Sequence, residues 1–362
     1  MVGVTKIQRG NAGYWLSAVA EGGDDYYTKP GEAPGEWVGE LAGELGLAGE
    51  VDPAGYGAIL EGRDPLSGQR LITRPDVRFR HRPDGSIKRV EPVLGYDVRF
   101  SAPKSISLLY ALGSDRTRER IISVLDEAVR QGIAHLEQEA CMVQRGKGGK
   151  VIERGQGFIG MAFRHRMSRA GDPALHVHVL ISNLTRAASD GKWLSLASPK
   201  GRSPLYPFGK SAGIVFQASL RAGFLREFGL EFGAVKNGYA DLKGFSRDLI
   251  KAFSTRSREI AEWMAEHGAS GVAAKQTAAY RTRQAKDHGL DEDVRRSEWE
   301  DQAAPHGFTP QTAEAMVSEA QPREPRPISE ASISAAIRQL ERTSSHFTAR
   351  HRRLCHVVNN QT

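Results

Sequence analysis

Cysteine is almost missing: Cys141 and Cys355 are the only two among 362 residues. Two thiols cannot build a disulfide-stapled secreted scaffold or a cysteine zinc finger, and their scarcity fits a reducing, cytoplasmic setting. Long apolar runs are missing too. The longest candidate, residues 106–112, falls far short of the roughly 18 residues a membrane span needs. No basic segment followed by an apolar one opens the chain, so neither a signal peptide nor membrane insertion is expected. Gly146-Lys147-Gly148-Gly149-Lys150 fails as a phosphate-binding loop, because its spacing is wrong and no Ser or Thr follows the lysine. No Gly-x-Ser-x-Gly nucleophile elbow occurs.

What is present is charge, unevenly spread. Lys and Arg number 50 against 43 Asp and Glu, a net of +7. Residues 1–64 hold 4 basic and 11 acidic residues, so the rest of the chain carries +14. A body this basic suits a polyanion such as nucleic acid. Plain solubility is the competing explanation.

Hydrophobic residues at 40% and charged residues at 26% allow a packed core. Residues 1–64 read as short helices and loops. Two basic runs, 78–82 and 86–90, flank Pro83-Asp84-Gly85 and predict a hairpin. A strand over 94–100 follows. Ile122, Leu125, Val129, Ile133 and Leu136 recur at helical steps, predicting a helix over 115–143 with Ser114 as its N-cap. Further strands are expected at 158–165, 175–182 and 192–196, and a helix at 211–228. Asn237-Gly238 predicts another hairpin, and a helix over 246–266 should break near Ser254-Thr255. Five prolines between 305 and 327 predict a linker. The βαβ rhythm is weak, which favours an α+β domain with a largely antiparallel sheet.

His176 and His178 sit two apart in Leu175-His176-Val177-His178-Val179. The apolar residues alternate, so the strand buries one face and presents both imidazoles on the other. His165 closes the preceding strand. An antiparallel hairpin would set it opposite His176, and three imidazoles would converge. Imidazole is a neutral donor, so three of them leave a divalent ion its full charge to polarise an oxygen. Such a set suits zinc, manganese, cobalt or nickel better than magnesium. The bland alternative is surface polarity arising by chance.

Asp97 lies inside an apolar strand. A carboxylate there serves a site, as general base or as partner to a histidine, or it pairs with Arg99 or Lys104. Tyr14, Tyr26 and Tyr27 are candidate nucleophiles. A phenol needs activation, since its ordinary pKa is near 10. Core or surface aromatics are the alternative for each.

Two blocks carry a family resemblance. One is Gly95-Tyr96-Asp97-Val98-Arg99-Phe100-Ser101-Ala102-Pro103-Lys104-Ser105-Ile106-Ser107. The other runs from Phe163-Arg164-His165 through Gly171-Asp172-Pro173 to His176-Val177-His178. Asp24-Asp25-Tyr26-Tyr27, Trp37 and Ile260-Ala261-Glu262-Trp263 add to them. Together they resemble the conjugative relaxases of the MobF, TrwC-like type, over residues 4 to about 299. The resemblance implies an α+β fold: a central, mostly antiparallel five-stranded sheet flanked by helices, of the His-hydrophobic-His nuclease type. It implies nicking of one DNA strand at an origin of transfer through a 5′-phosphotyrosine. His165, His176 and His178 would hold one divalent ion, magnesium, manganese or zinc. Asp97 would activate the tyrosine and orient a histidine. Tyr14 would nick, Tyr26 would act in strand transfer, and Tyr27 would complete the second pair. Implied partners are the origin-of-transfer hairpin, its single strand, relaxosome accessory proteins and a coupling protein.

Candidate DNA contacts are Arg78, Arg80, Arg82, Lys88, Arg89 and Lys104, with Trp37 as a base-stacking aromatic. A solvated surface hairpin is the alternative. The chain departs from the family in having Tyr14-Trp15 where many members carry two adjacent tyrosines. Residues 328–347 resemble the start of a following helicase domain, and 351–362 lose that pattern. The expected organisation is a relaxase domain over 1–300, a linker over 301–327 and a remnant over 328–362, as in a truncated chain. Rival readings are a rolling-circle replication initiator, an inactive DNA-binding remnant and a three-histidine zinc hydrolase. Tyrosines that precede the histidines favour the relaxase order.

Overall fold

The computed structural model describes residues 2–8, 35–73, 75, 77–146, 149–168, 170–282 and 292–325. The chain opens with strand β1 (Val2–Gln8) and the short β2 (Glu36–Val38), followed by helices α1 (Glu40–Glu44) and α2 (Pro53–Leu60). The sequence reading of 1–64 contained no strand. β1 buries only Ile7 completely, so its apolar alternation is too faint to read. Asp52 starts α2 by accepting the Gly55 N–H at 2.7 Å.

The expected basic hairpin is present as β3 (Arg78–His81) and β4 (Ile87–Val90). Then come β5 (Val93–Ser101), α3 (Lys104–Leu112) and α4 (Asp115–Ala140). Every residue of α3 from Ser105 to Leu112 is buried. A helix buried on all sides, its serines included, has no solvent-facing polar stripe to detect, which is why this one was not foreseen. Ser114 receives the Thr117 N–H at 3.3 Å, as its N-cap role requires. α4 stops at Ala140, because Met142 already begins the hairpin of β6 (Met142–Arg145) and β7 (Val151–Arg154). Next are β8 (Gly160–Met167), β9 (Pro173–Ser182) and the small pair β10 (Thr185–Arg186) and β11 (Trp193–Leu194). Helices complete the chain: α5 (Leu205–Phe228), α6 (Arg247–Ala252), α7 (Thr255–Glu266), α8 (Gly271–Arg281), α9 (Glu292–Ala303) and α10 (Pro310–Glu319). α6 and α7 separate at Ser254, where the break was expected.

The main sheet is five-stranded and antiparallel, in the order β1-β5-β9-β8-β2. β5 and β9 are therefore interior strands, and both are buried along most of their length. Contacts group the chain into two compact units. One comprises 1–100, 129–164 and 177–216; the other comprises 101–128, 165–176 and 217–362. The divisions fall within β5, α4, β8, β9 and α5.

In the first unit Ile7, Leu41, Tyr56, Ile59, Leu94, Met161, Phe163 and Leu180 form one apolar cluster. Phe100 packs on Phe216 with ring centroids 5.3 Å apart. Gly132 makes room for it, since a Cβ there would lie 2.5 Å from the Phe100 ring. Full burial of one such ring contributes about 1.5–3 kcal/mol.

In the second unit Phe224 stacks on Phe228, and the Arg120 guanidinium covers the Phe228 ring at 4.3 Å. Asn237 takes positive φ beside Gly238, as a tight hairpin turn demands. Within the described part of 301–327, the segment read as a linker, residues 301–306 and 310–319 are helical. Pro305 and Pro310 occupy first-turn positions of helical segments, where a missing N–H costs nothing. The Thr309 hydroxyl caps α10, Glu314 accepts the Ser114 N–H at 2.7 Å, and Arg323 N–H bonds the Leu225 carbonyl at 3.1 Å. No helix among the described residues is long and apolar enough to cross a membrane.

Candidate metal centre and active site

β9 alternates as the sequence predicts. Leu175, Val177 and Val179 are buried, while His176 and His178 are half-buried on the opposite face. His165 lies on β8, and its ring centroid is 4.9 Å from that of His176. One ligand atom from each of His165, His176 and His178 lies within 4.8 Å of the others.

Hydrogen bonds fix which nitrogens are available. His176 Nδ1 is 2.6 Å from the Ala174 carbonyl, which can only accept. The proton therefore sits on Nδ1 and the lone pair on Nε2. Asp97 Oδ1 is 2.8 Å from His178 Nδ1 and fixes that ring in the same sense. A neutral three-nitrogen donor set, two of its tautomers already selected, fits one divalent ion. The residues that would hold it are His165, His176 and His178.

Asp97 is only 5% exposed on β5. Of its two anticipated roles, the structure gives it the histidine. Arg99 is exposed, and the Lys104 ammonium donates to the Pro173 carbonyl at 2.5 Å. Burial pulls the Lys104 pKa down, while Asp172 and Asp241 pull it up. Lys104 is thus engaged with the backbone of β9. Trp37 is partly buried and packs against the apolar cluster of the first unit.

Tyr14, Tyr26 and Tyr27 lie outside the described residues. Tyr56 was not singled out from the sequence. It is fully buried, its ring edge meets Phe163 at 6.3 Å, and its hydroxyl has no hydrogen-bond partner among the described residues. Burial first, and then the Asp97 charge, push its phenol well above the ordinary range. Nothing in its spacing marks it.

On the basic hairpin, register decides the faces. Arg78 opposes Val90 and Arg80 opposes Lys88, so three cations share one face. Phe79 opposes Arg89 and His81 opposes Ile87 on the other, where Arg89 pairs with Glu91 at 2.7 Å. Arg82 sits at the turn, its N–H donating to the Ser86 carbonyl. The strands are exposed apart from half-buried Val90.

A five-stranded antiparallel sheet with three converging imidazoles, one braced by a buried carboxylate, defines a metal-binding α+β domain. The sequence model of the TrwC relaxase family matches residues 8–306, and the chain belongs to that family. It is 34% identical over 274 residues to the multifunctional conjugation protein TraI of Escherichia coli, and 31% identical over 274 residues to TraI of Escherichia coli strain K12. Each alignment takes in 73% of this chain and 14% of the relative, so this chain matches a small part of those proteins. Among solved structures it is similar to conjugative relaxase TrwC in complex with oriT DNA. The metal-bound complex gives 30% identity and a TM-score of 0.68; the copper-bound complex gives 32% and 0.69. TrwC with a 27-mer DNA comprising the recognition hairpin and the cleavage site gives 30% and 0.67. Each covers 86% of this chain and 100% of the other.

Proposed function

We propose that this chain nicks one DNA strand at an origin of transfer, holds the new 5′ end on a tyrosine and later rejoins it, initiating conjugative transfer. The observation that carries the reading is the His165, His176 and His178 cluster braced by Asp97, in a chain of the TrwC relaxase family. A divalent ion held by His165, His176 and His178 would supply positive charge to offset that of a phosphate under attack.

The chain's own residues do the rest. Asp97 holds His178 in one tautomer through Oδ1 and has a second carboxylate oxygen, which we assign as acceptor of the phenolic proton. The Tyr14 oxygen bonds to phosphorus as the bond to the 3′ oxygen breaks, and that oxygen takes a proton from solvent. One phosphoester replaces another, so the strand can be resealed. Tyr26 is assigned the second transfer, with Tyr27 beside it in sequence.

Arg78, Arg80 and Lys88 form the face we assign to the DNA stem, with Arg82 and Arg89 at its margins. Partners in this reading are the origin hairpin and single strand, accessory proteins of the relaxosome and a coupling protein. The reaction is placed in the cytoplasm. The catalytic domain, read from sequence as 1–300, is taken to include α10, given the bond of its Glu314 to Ser114 and that of Arg323, just past the helix, to Leu225.

The test uses single-stranded oligonucleotides tiled across the origin region of the source element, with Mn²⁺. A covalent protein–DNA adduct on a denaturing gel is expected from the wild type and not from Tyr14→Phe, which still binds DNA. An undiminished adduct in Tyr14→Phe moves the assignment to Tyr26. No adduct from the wild type on any tile removes the function.

A further inference from the structure

The turn between β8 and β9 is bonded from several directions. Within it, Ser168 N–H donates to the Asp172 carbonyl at 2.8 Å and Gly171 N–H to the Ser168 carbonyl at 3.0 Å, with Gly171 at φ +78°. From outside, Trp299 Nε1 on α9 donates to the Gly171 carbonyl at 2.9 Å. Lys104 on α3 reaches the Pro173 carbonyl. Leu175 N–H donates to the Ser107 hydroxyl at 2.9 Å, and Ala102 N–H to the Leu175 carbonyl at 3.0 Å. Asp172 contributes its side chain. Its Oδ2 accepts the Thr255 N–H at 2.9 Å and its Oδ1 accepts the Thr255 hydroxyl at 3.1 Å.

Hairpin turns are ordinarily mobile surface features. This one is 6% exposed at Asp172 and is anchored to α3, α7 and α9. The residues on its two sides are His165 and His176. A metal centre needs its ligands held to about half an ångström. Ser254, the N-cap residue of α7, makes no side-chain cap bond to that helix, so Asp172 does for Thr255 what a cap would do. The carboxylate thereby joins a helix end to the hairpin that carries the three imidazoles.

We propose that Asp172 is a positioning residue for the metal centre: its bonds to Thr255 fix the turn and so set how His165 and His176 face a common ion. This rests on reading those two histidines as ligands, and the experiment separates the two ideas. The full chain is stripped of metal and titrated with Co²⁺, following the d–d absorption, with His176→Ala as the reference without a site. Melting temperature is measured in parallel.

Asp172→Asn and Thr255→Val should weaken Co²⁺ binding about 10-fold and change the d–d spectrum. Thr255→Ser, which keeps the hydroxyl, should match the wild type. If Asp172→Asn does not fold, Thr255→Val decides. A lowered melting temperature with wild-type Co²⁺ affinity and spectrum in Thr255→Val would make the bond a helix cap only and overturn the proposal. The same loss in Thr255→Ser as in Thr255→Val would also overturn it. Absence of saturable, His176-dependent Co²⁺ binding in the wild type would remove the ligand reading and this proposal with it.

Discussion

Asp97 and His178 come from neighbouring interior strands, β5 and β9, and meet through a 2.8 Å bond between Oδ1 and Nδ1. The bond gives a buried carboxylate a partner and leaves the other imidazole nitrogen to coordinate. Asp97→Asn keeps an acceptor but loses the charge. Affinity for Mn²⁺ without DNA should fall about 10- to 100-fold. If Asp97 also takes the phenolic proton, adduct yield stays low at saturating Mn²⁺. Full recovery of the adduct at high metal would restrict Asp97 to orienting His178.

Tyr56 presents the opposite case, a buried hydroxyl with no partner among the described residues. Such a group costs about 1–3 kcal/mol relative to one that is bonded. Tyr56→Phe should therefore leave stability unchanged or raise it, measured by urea denaturation. A loss above about 2 kcal/mol would reveal a bond the hydroxyl makes.

The two-faced basic hairpin predicts a selective salt effect. Arg80→Ala with Lys88→Ala removes two cations from one face and should lower the slope of log affinity against log salt by about 2. Phe79→Ala, on the other face, should leave that slope alone. Equal slopes in all three proteins would take the cationic face off the DNA.

Cys141 is buried, and burial pushes its thiol up to about 11. Its thiolate is stable only above that pH, so the native chain should resist iodoacetamide at this position at pH 8. Peptide mapping should find Cys141 alkylated after denaturation. Rapid labelling of the native chain at Cys141 would contradict its packing.

The metal cluster was legible because strand periodicity is two, and His176 and His178 keep step with Leu175, Val177 and Val179. Asp97 was legible because a charge inside an apolar strand demands a reason. The basic hairpin announced itself through Pro83-Asp84-Gly85. What escaped did so for physical reasons. α3 is buried from Ser105 to Leu112 and presents no polar stripe to solvent. Pro305 and Pro310 looked like breaks, yet a helix start tolerates proline as well as a linker does. The Lys104 bond to Pro173 was not legible, because nothing local reveals that a carbonyl 69 positions away will take its ammonium. Tyr56 meets its surroundings only through the tertiary fold.

The alternation along β9 also sets a rule of parity. Adding or deleting one residue between Pro173 and His176 would exchange inside for outside along the rest of the strand. Both imidazoles would turn into the hydrocarbon interior, and two branched aliphatic chains would stand where a cation is held. A change of two residues would preserve the orientation while displacing the rings by about 7 Å. Evolutionary drift in this strand is therefore confined to substitution, and length change must be absorbed elsewhere in the chain.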